Sequence, residues 1–133
     1  MAGSKTDTLE ARVLDHLFKG AATPALGALS TVYVGLHTAV PSDAGGGTEV
    51  TGSSYARVAV AAAAWTRTGS QIANNAEVAF PAVTSTPYTV VGFGIYDAST
   101  SGNFLFWGDT TSTTMNVGDV PRFAAGALTV TED

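Results

Sequence analysis

The chain has 133 residues and a formal net charge of −5; 45% of its residues are hydrophobic, 13% are charged and none is cysteine. Six basic residues in an acidic chain exclude a broad positive surface for nucleic acid. The lack of cysteine excludes disulfides, thiol nucleophiles and thiolate metal sites. Residues 1–7 are polar and no run approaches about 18 apolar residues, so we expect neither a secretory signal nor a membrane-spanning helix. Length and low charge predict a single folded domain, residues 1–133.

The N-terminal segment predicts an amphipathic helix over about residues 8–19. Asp7 and Glu10 resemble a capping box, and Gly20 is well placed to end the helix. Apolar side chains recur at the three-to-four spacing of one buried stripe. This stripe comprises Leu9, Val13, Leu14, Leu17 and Phe18.

After a connector around Pro24, alternating and β-branched residues predict a β-rich body over about residues 31–131. The alanine run 61–64 is assigned to a strand because β-formers flank it and no caps appear. A long loop is expected at 38–54, a hairpin turn at 97–103 and a polar link at 109–114. The predicted strands are 31–37, 55–66, 72–80, 88–96, 104–108, 115–117, 120–124 and 127–131. Short strands at roughly ten-residue spacing predict a mainly β fold, an antiparallel β-sandwich or jelly-roll-like barrel with one N-terminal amphipathic helix.

A search for chemistry finds no catalytic constellation. His16 is interpreted as a surface residue, and His37 as a structural residue that hydrogen-bonds the backbone of the following loop. Oxygen side chains at alternate positions after Asp97 resemble the start of a calcium loop, but its twelfth position is Gly108, so a hairpin turn is favoured. We therefore predict no catalytic residue, no cofactor and no metal site.

The aromatic residues offer a second route to function, through binding. Phe104, Leu105, Phe106 and Trp107 follow one another, and in a strand two of them must point to each face. Both faces are then covered, one by the core and the other by a second sheet, the helix or a neighbouring subunit. A surface platform for sugar at Trp65 or Trp107 stays open as an alternative.

A series of short motifs runs along nearly the whole chain and resembles a known family. The motifs are Tyr33-Val34-Gly35-Leu36-His37-Thr38-Ala39 with Pro41, Tyr55-Ala56-Arg57, Gly94-Ile95-Tyr96-Asp97-Ala98, Gly102-Asn103-Phe104-Leu105-Phe106-Trp107-Gly108, Val117-Gly118-Asp119 and 123–131. In this order they are similar to a group of small tailed-bacteriophage virion proteins, often labelled tail-fibre-like. The resemblance implies a structural particle component without catalytic residues.

The resemblance leaves the place on the particle open, since small β-modules decorate capsids or sit on tails. Without repeats or a fibrous stem, this low-charge chain favours a capsid decoration (cement) protein that binds the outside of the shell as a homo-oligomer, preferably a trimer. The expected partners are the major capsid protein or tail proteins of the same phage, with no nucleic acid and no membrane. The expected location is the virion, after synthesis in the host cytoplasm. The alternative is a tail or tail-fibre structural or adhesion protein that also binds host glycan.

The predicted assembly contacts lie in the helix, in the loop 41–54 and on the aromatic strand. The individual residues are Leu9, Val13, Leu17, Phe18, Pro41, Phe104, Phe106 and Trp107.

Overall fold

The computed structural model describes residues 2–20 and 27–132. These residues form a 12-residue helix, α1 (Asp7–Phe18), and eleven strands. The strands are β1 (Ala2–Lys5), β2 (Thr31–Ala39), β3 (Thr48–Glu49), β4 (Val58–Ala61), β5 (Trp65–Thr68), β6 (Gln71–Asn74), β7 (Val78–Ala79), β8 (Tyr88–Tyr96), β9 (Phe104–Met115), β10 (Arg122–Phe123) and β11 (Thr129–Thr131). No helix among the described residues is long and apolar enough to cross a membrane.

The strands form a mainly antiparallel, sandwich-like arrangement, which confirms the predicted fold class. Eight strands follow one another in the order β3-β2-β8-β9-β1-β11-β6-β5, β4 also pairs with β2, and β7 pairs with β10. The long strands β2 and β8 place Val34 opposite Ile95 and Leu36 opposite Phe93. These four side chains are at most 3% exposed and form the centre of the core.

The predicted helix is present, but its cap and its buried face differ from expectation. Thr6, not Asp7, is the N-cap, and its hydroxyl oxygen accepts a hydrogen bond from the backbone N–H of Leu9 at 3.4 Å. Gly20 follows the helix at φ +72°, as its place in the sequence predicted. Within the predicted stripe, Leu9 is buried, whereas Leu14, Leu17 and Phe18 are 57%, 68% and 82% exposed. The three-to-four spacing correctly indicated a helix, but it did not show that only the first part of the apolar stripe is buried against the sheet.

Several strand predictions were wrong in extent. The alanines Ala62–Ala64 form a 3-10 turn between β4 and β5 rather than a strand. The supposed polar link 109–114 continues β9 to Met115, because cross-strand pairing with β8 offsets its weak apolar pattern. No strand follows at 116–117, and β3 lies inside the predicted loop 38–54. The polar segment Ala2–Lys5 was not predicted as a strand; it becomes one by pairing with β9 and β11.

Candidate functional site

Two glycines in neighbouring strands make room for a cluster of polar and aromatic side chains. Gly35 in β2 lies opposite Gly94 in β8. A Cβ on Gly35 would lie 2.9 Å from Glu49 Oε1, and one on Gly94 would lie 2.8 Å from ring carbons of two aromatic residues. The cluster contains His37, Glu49, Tyr55, Arg57, Tyr96 and Phe104. Only a residue without a side chain fits at either position.

Arg57 is the centre of this cluster. Its Nε and Nη2 donate to the two carboxylate oxygens of Glu49, each at 2.8 Å. Its Nη1 donates to the backbone oxygens of Ala98 at 2.9 Å and Ser101 at 2.8 Å. The guanidinium carbon also lies 3.5 Å from the centroid of the Tyr96 ring. The Arg57 side chain thus contacts Glu49 at the end of β3, the turn after β8 and Tyr96 at the end of β8.

Tyr55 links the ion pair to the backbone of the sheet. Its hydroxyl donates to Glu49 Oε1 at 2.7 Å and accepts from the Leu36 N–H at 2.9 Å. Burial alone would raise the pKa of Glu49, but hydrogen bonds from Arg57 and Tyr55 hold it below the usual value. Burial, and then the bond to this carboxylate, raise the pKa of Tyr55. Glu49 is therefore a carboxylate engaged by two fixed donors.

His37 is 2% exposed and lies under the loop that follows β2. Its Nε2 is 2.8 Å from the Tyr96 hydroxyl, and its ring stacks on that of Phe104 at 5.6 Å between centroids. Burial lowers the pKa of His37 to about 4, with Glu49 raising it and Arg57 lowering it to a smaller degree. The prediction of a structural histidine named the wrong partner, because the ring bonds a tyrosine hydroxyl across the sheet rather than the loop backbone.

The arrangement is suited to holding loops in place. The Glu49 carboxylate accepts hydrogen bonds from the Arg57 guanidinium and the Tyr55 hydroxyl, and the guanidinium also donates to the backbone. The charged groups of the cluster are therefore engaged by partners within the fold. Nearby, the Asp97 carboxylate accepts from the backbone N–H and the side-chain amide of Asn103, both at 2.7 Å. The calcium-like sequence is thus a hairpin turn between β8 and β9. Among the described residues, no group of three or more His, Asp or Glu side chains could hold a metal ion.

The structure separates the predicted contact residues into two sets. Five of them pack largely within the subunit: Leu9 and Pro41 are buried, and Phe104, Phe106 and Trp107 are half-buried. Pro41 lies over Gly92, where an added Cβ would lie 3.0 Å from its Cδ. Trp107 Nε1 donates to Asp43 Oδ1 at 2.7 Å and so ties the same loop to β9. Pro41 and Trp107 thus hold the first part of the loop 41–54 against the sheet.

The other set lies on α1 and faces outward. Val13 is half-buried, and Leu17 and Phe18 are largely exposed together with Leu14. We call the surface of Leu14, Leu17 and Phe18 the helix-end patch. Three large apolar side chains this close in sequence, each more than half exposed, are typical of a contact surface.

A shallow apolar groove of about 250 Å³ lies beside the sheet, on the same side as Phe106. Trp65, one of the two proposed sugar platforms, is half-buried in its wall. The other, Trp107, is half-buried and bonded to Asp43. The remaining walls are formed by Leu29, Val32, Ala62, Ile72, Ile95 and Val130.

Four of the resembling motifs, distant in sequence, therefore contribute side chains to one cluster around Arg57: those that contain His37, Tyr55, Tyr96 and Phe104. A family model described as Podophage GP4 fiber I protein gp80 matches residues 4–131. The chain belongs to this family. It is a structural protein of the phage virion, related to fibre proteins, which confirms the predicted resemblance and implies a structural rather than an enzymatic role. A search among curated proteins found none that matches the chain.

Sequence reasoning missed the ion pair. Glu49 was not singled out, and Arg57 entered only as part of a motif. The signal that could have found it was the scarcity of charge. The chain has only six basic residues, and Arg57 comes directly before a strand of valines and alanines. An arginine in such an apolar segment indicates a buried acidic partner.

Proposed function

We propose that this virion protein is a capsid decoration protein that assembles as a homo-oligomer, preferably a trimer. The helix-end patch carries the proposal, since Phe18 is 82% exposed and Leu17 68%. A second copy of the chain is its proposed occupant, while the loop 41–54 contacts the shell. Only 13% of the residues are charged, and such a surface suits packing against copies and neighbours.

The capsid is favoured over the tail by the shape of the chain. Its sequence shows no internal repeats, and within the described residues 2–20 and 27–132 its strands build a sandwich-like body rather than a fibrous stem. The second candidate is a tail-fibre component, and the description of the family as a fibre protein favours it. Symmetry multiplies weak contacts in either location, so modest interfaces suffice for stable attachment.

Copy number separates the two locations. Quantitative mass spectrometry of purified virions is expected to find hundreds of copies per particle for a decoration protein. A few to some tens of copies would place the protein on the tail and overturn the capsid proposal.

A matched pair of variants tests the patch. The double variant Leu17→Ser, Phe18→Ser should still fold, because both side chains are exposed in the single subunit, yet run as a monomer in light scattering and bind depleted particles at least tenfold more weakly. Val117→Ser is the control, since Val117 is 55% exposed but lies far along the chain from the helix. Oligomers of unchanged size in the double variant would contradict the role of the patch.

A further inference from the structure

The N-terminal strand joins the two halves of the sheet. β1 pairs in parallel with β11, where Ala2 is the partner of Thr129, and antiparallel with β9, where Ser4 is the partner of Trp107. Both partner strands lie about a hundred residues or more further along the chain. Without β1, the facing edges of β9 and β11 would keep unpaired N–H and C=O groups, so the body forms a slot for one strand.

The residues after β1 continue this docking. Thr6 is 2% exposed; its N–H donates to the Leu105 oxygen at 2.9 Å and its hydroxyl to the Phe104 oxygen at 2.6 Å. The Asp7 N–H donates to the Asp43 oxygen at 2.7 Å, and Lys5 Nζ lies 2.8 Å from Glu132 Oε2. We call residues 2–20 the arm. Its contacts with the body described here all reach residues distant in sequence, and any copy of the arm can make them.

The arm is docked through its strand, while the end of its helix stays uncovered. The helix-end patch lies at the C-terminal end of α1, just before the chain leads back to β2. The ten residues 21–30 connect arm and body, and ten fully extended residues span at most about 36 Å. A domain of this length has a diameter of about 36 Å, so the connection is long enough to reach a neighbouring body.

We propose that subunits exchange their arms, so that β1 of one subunit completes the sheet of its neighbour. The inference rests on the homo-oligomer proposed above and specifies how its subunits are joined. Exchange keeps every hydrogen bond of the arm, because the slot in each body is the same. It also places α1 at the junction of two bodies, where the helix-end patch is covered. A head-to-tail exchange of this kind closes into a ring, as a trimer requires.

The lack of native cysteine makes disulfide trapping a direct test. Ala2→Cys and Thr129→Cys are made in separate chains, which are unfolded, mixed in equal amounts, refolded and oxidised. Exchanged arms bring Cys pairs together between chains, so covalent dimers are expected for up to about half of the arms of the Ala2→Cys chain, the chance that the neighbouring body carries the other variant. The double variant in one chain is expected to give covalent oligomers rather than internally bridged monomers.

A hairpin pair provides the matched control. Thr89 and Thr114 face each other on β8 and β9 with their hydroxyl oxygens 3.0 Å apart, in a contact that belongs to one chain. The double variant Thr89→Cys, Thr114→Cys should bridge internally, and the mixed single variants should give no dimers. Equal dimer yields from both mixtures would mean random collisions and would overturn the proposal.

The outcomes separate this inference from the proposed function. Oligomers of unchanged size in which the Ala2→Cys, Thr129→Cys double variant bridges only within its own chain would refute arm exchange and leave the homo-oligomer standing. A monomeric wild-type chain would refute both. A second arm pair, Asp7→Cys with Asp43→Cys, joined by a short thiol crosslinker, uses two exposed residues; replacing Asp43 removes the hydrogen bond from Trp107 Nε1 but no core side chain. It must give the same answer as the first pair.

Discussion

Acid should destabilise this protein through one buried histidine before its carboxylates respond. The pKa of His37 falls from 6.5 to about 4 on folding, chiefly by burial. Between these values the unfolded chain binds the proton and the folded chain does not, so stability present above pH 6.5 is lost as the pH falls toward 4. The loss is about 1.4 kcal/mol for each pH unit and about 3 kcal/mol in all.

The pH window isolates this histidine from the ion pair. The pKa of Glu49 is also lowered, although burial opposes the shift, so its contribution is present above its usual value of 4.5 and is lost only below it. Unfolding in urea, followed by tryptophan fluorescence at several pH values from 7 to 4.5, therefore reports mainly on His37.

Two variants make the measurement decisive. His37→Gln keeps a polar group near Tyr96 but cannot titrate, so the slope of stability against pH should fall by about one proton relative to wild type. His16→Gln, which replaces the exposed imidazole of α1, is the matched control. A slope of the same size in His37→Gln and wild type would refute the reasoning.

Further predictions concern residues that organise the sheet. Gly94→Ala should lower the free energy of unfolding by about 2 kcal/mol or more, since a Cβ there would lie 2.8–3.0 Å from three side-chain rings. Gly27→Ala, where a Cβ would have no atom within 4 Å, should change the same quantity by no more than about 0.5 kcal/mol in urea unfolding. Equal losses of stability in the two variants would contradict the steric argument. Arg57→Leu leaves the Glu49 carboxylate without its cation and should lower the free energy of unfolding by about 3 kcal/mol in the same assay. Arg67→Leu, at an exposed side chain, should lower it little. A small loss of stability at both positions would contradict a stabilising role for the cluster around Arg57. Asn74→Leu should lower the melting temperature by several degrees, because this 1% exposed amide bonds three backbone groups; an unchanged value would contradict its role.

The sequence predicted best where a pattern is local. Residues 88–96 are rich in β-branched and aromatic residues, and their strand appears with the predicted bounds as β8. The turn at 97–103 was evident from its small and polar residues, and the structure adds the Asp97–Asn103 bonds that close it. Prediction was poorer at Ala62–Ala64, where the propensity of alanine is ambiguous and a 3-10 turn forms instead of a strand.

The candidate site was predicted only in pieces. His37 and Arg57 belong to separate motifs 20 positions apart, and no spacing rule relates them. They meet because β2 and β8 pair in a register that sets Gly35 against Gly94, and that register follows from the burial of Leu36 and its neighbours.

By itself, the sequence determined the mainly β class, the N-terminal helix and the kinship with phage structural proteins, because composition, periodicity and ordered motifs are properties of the chain as written. Only the tertiary structure decided that Ala2–Lys5 is a strand, that Glu49 and Arg57 pair, and that the end of α1 is left uncovered. Each depends on contacts between residues distant in sequence, whose free energy appears only when the strands are brought side by side.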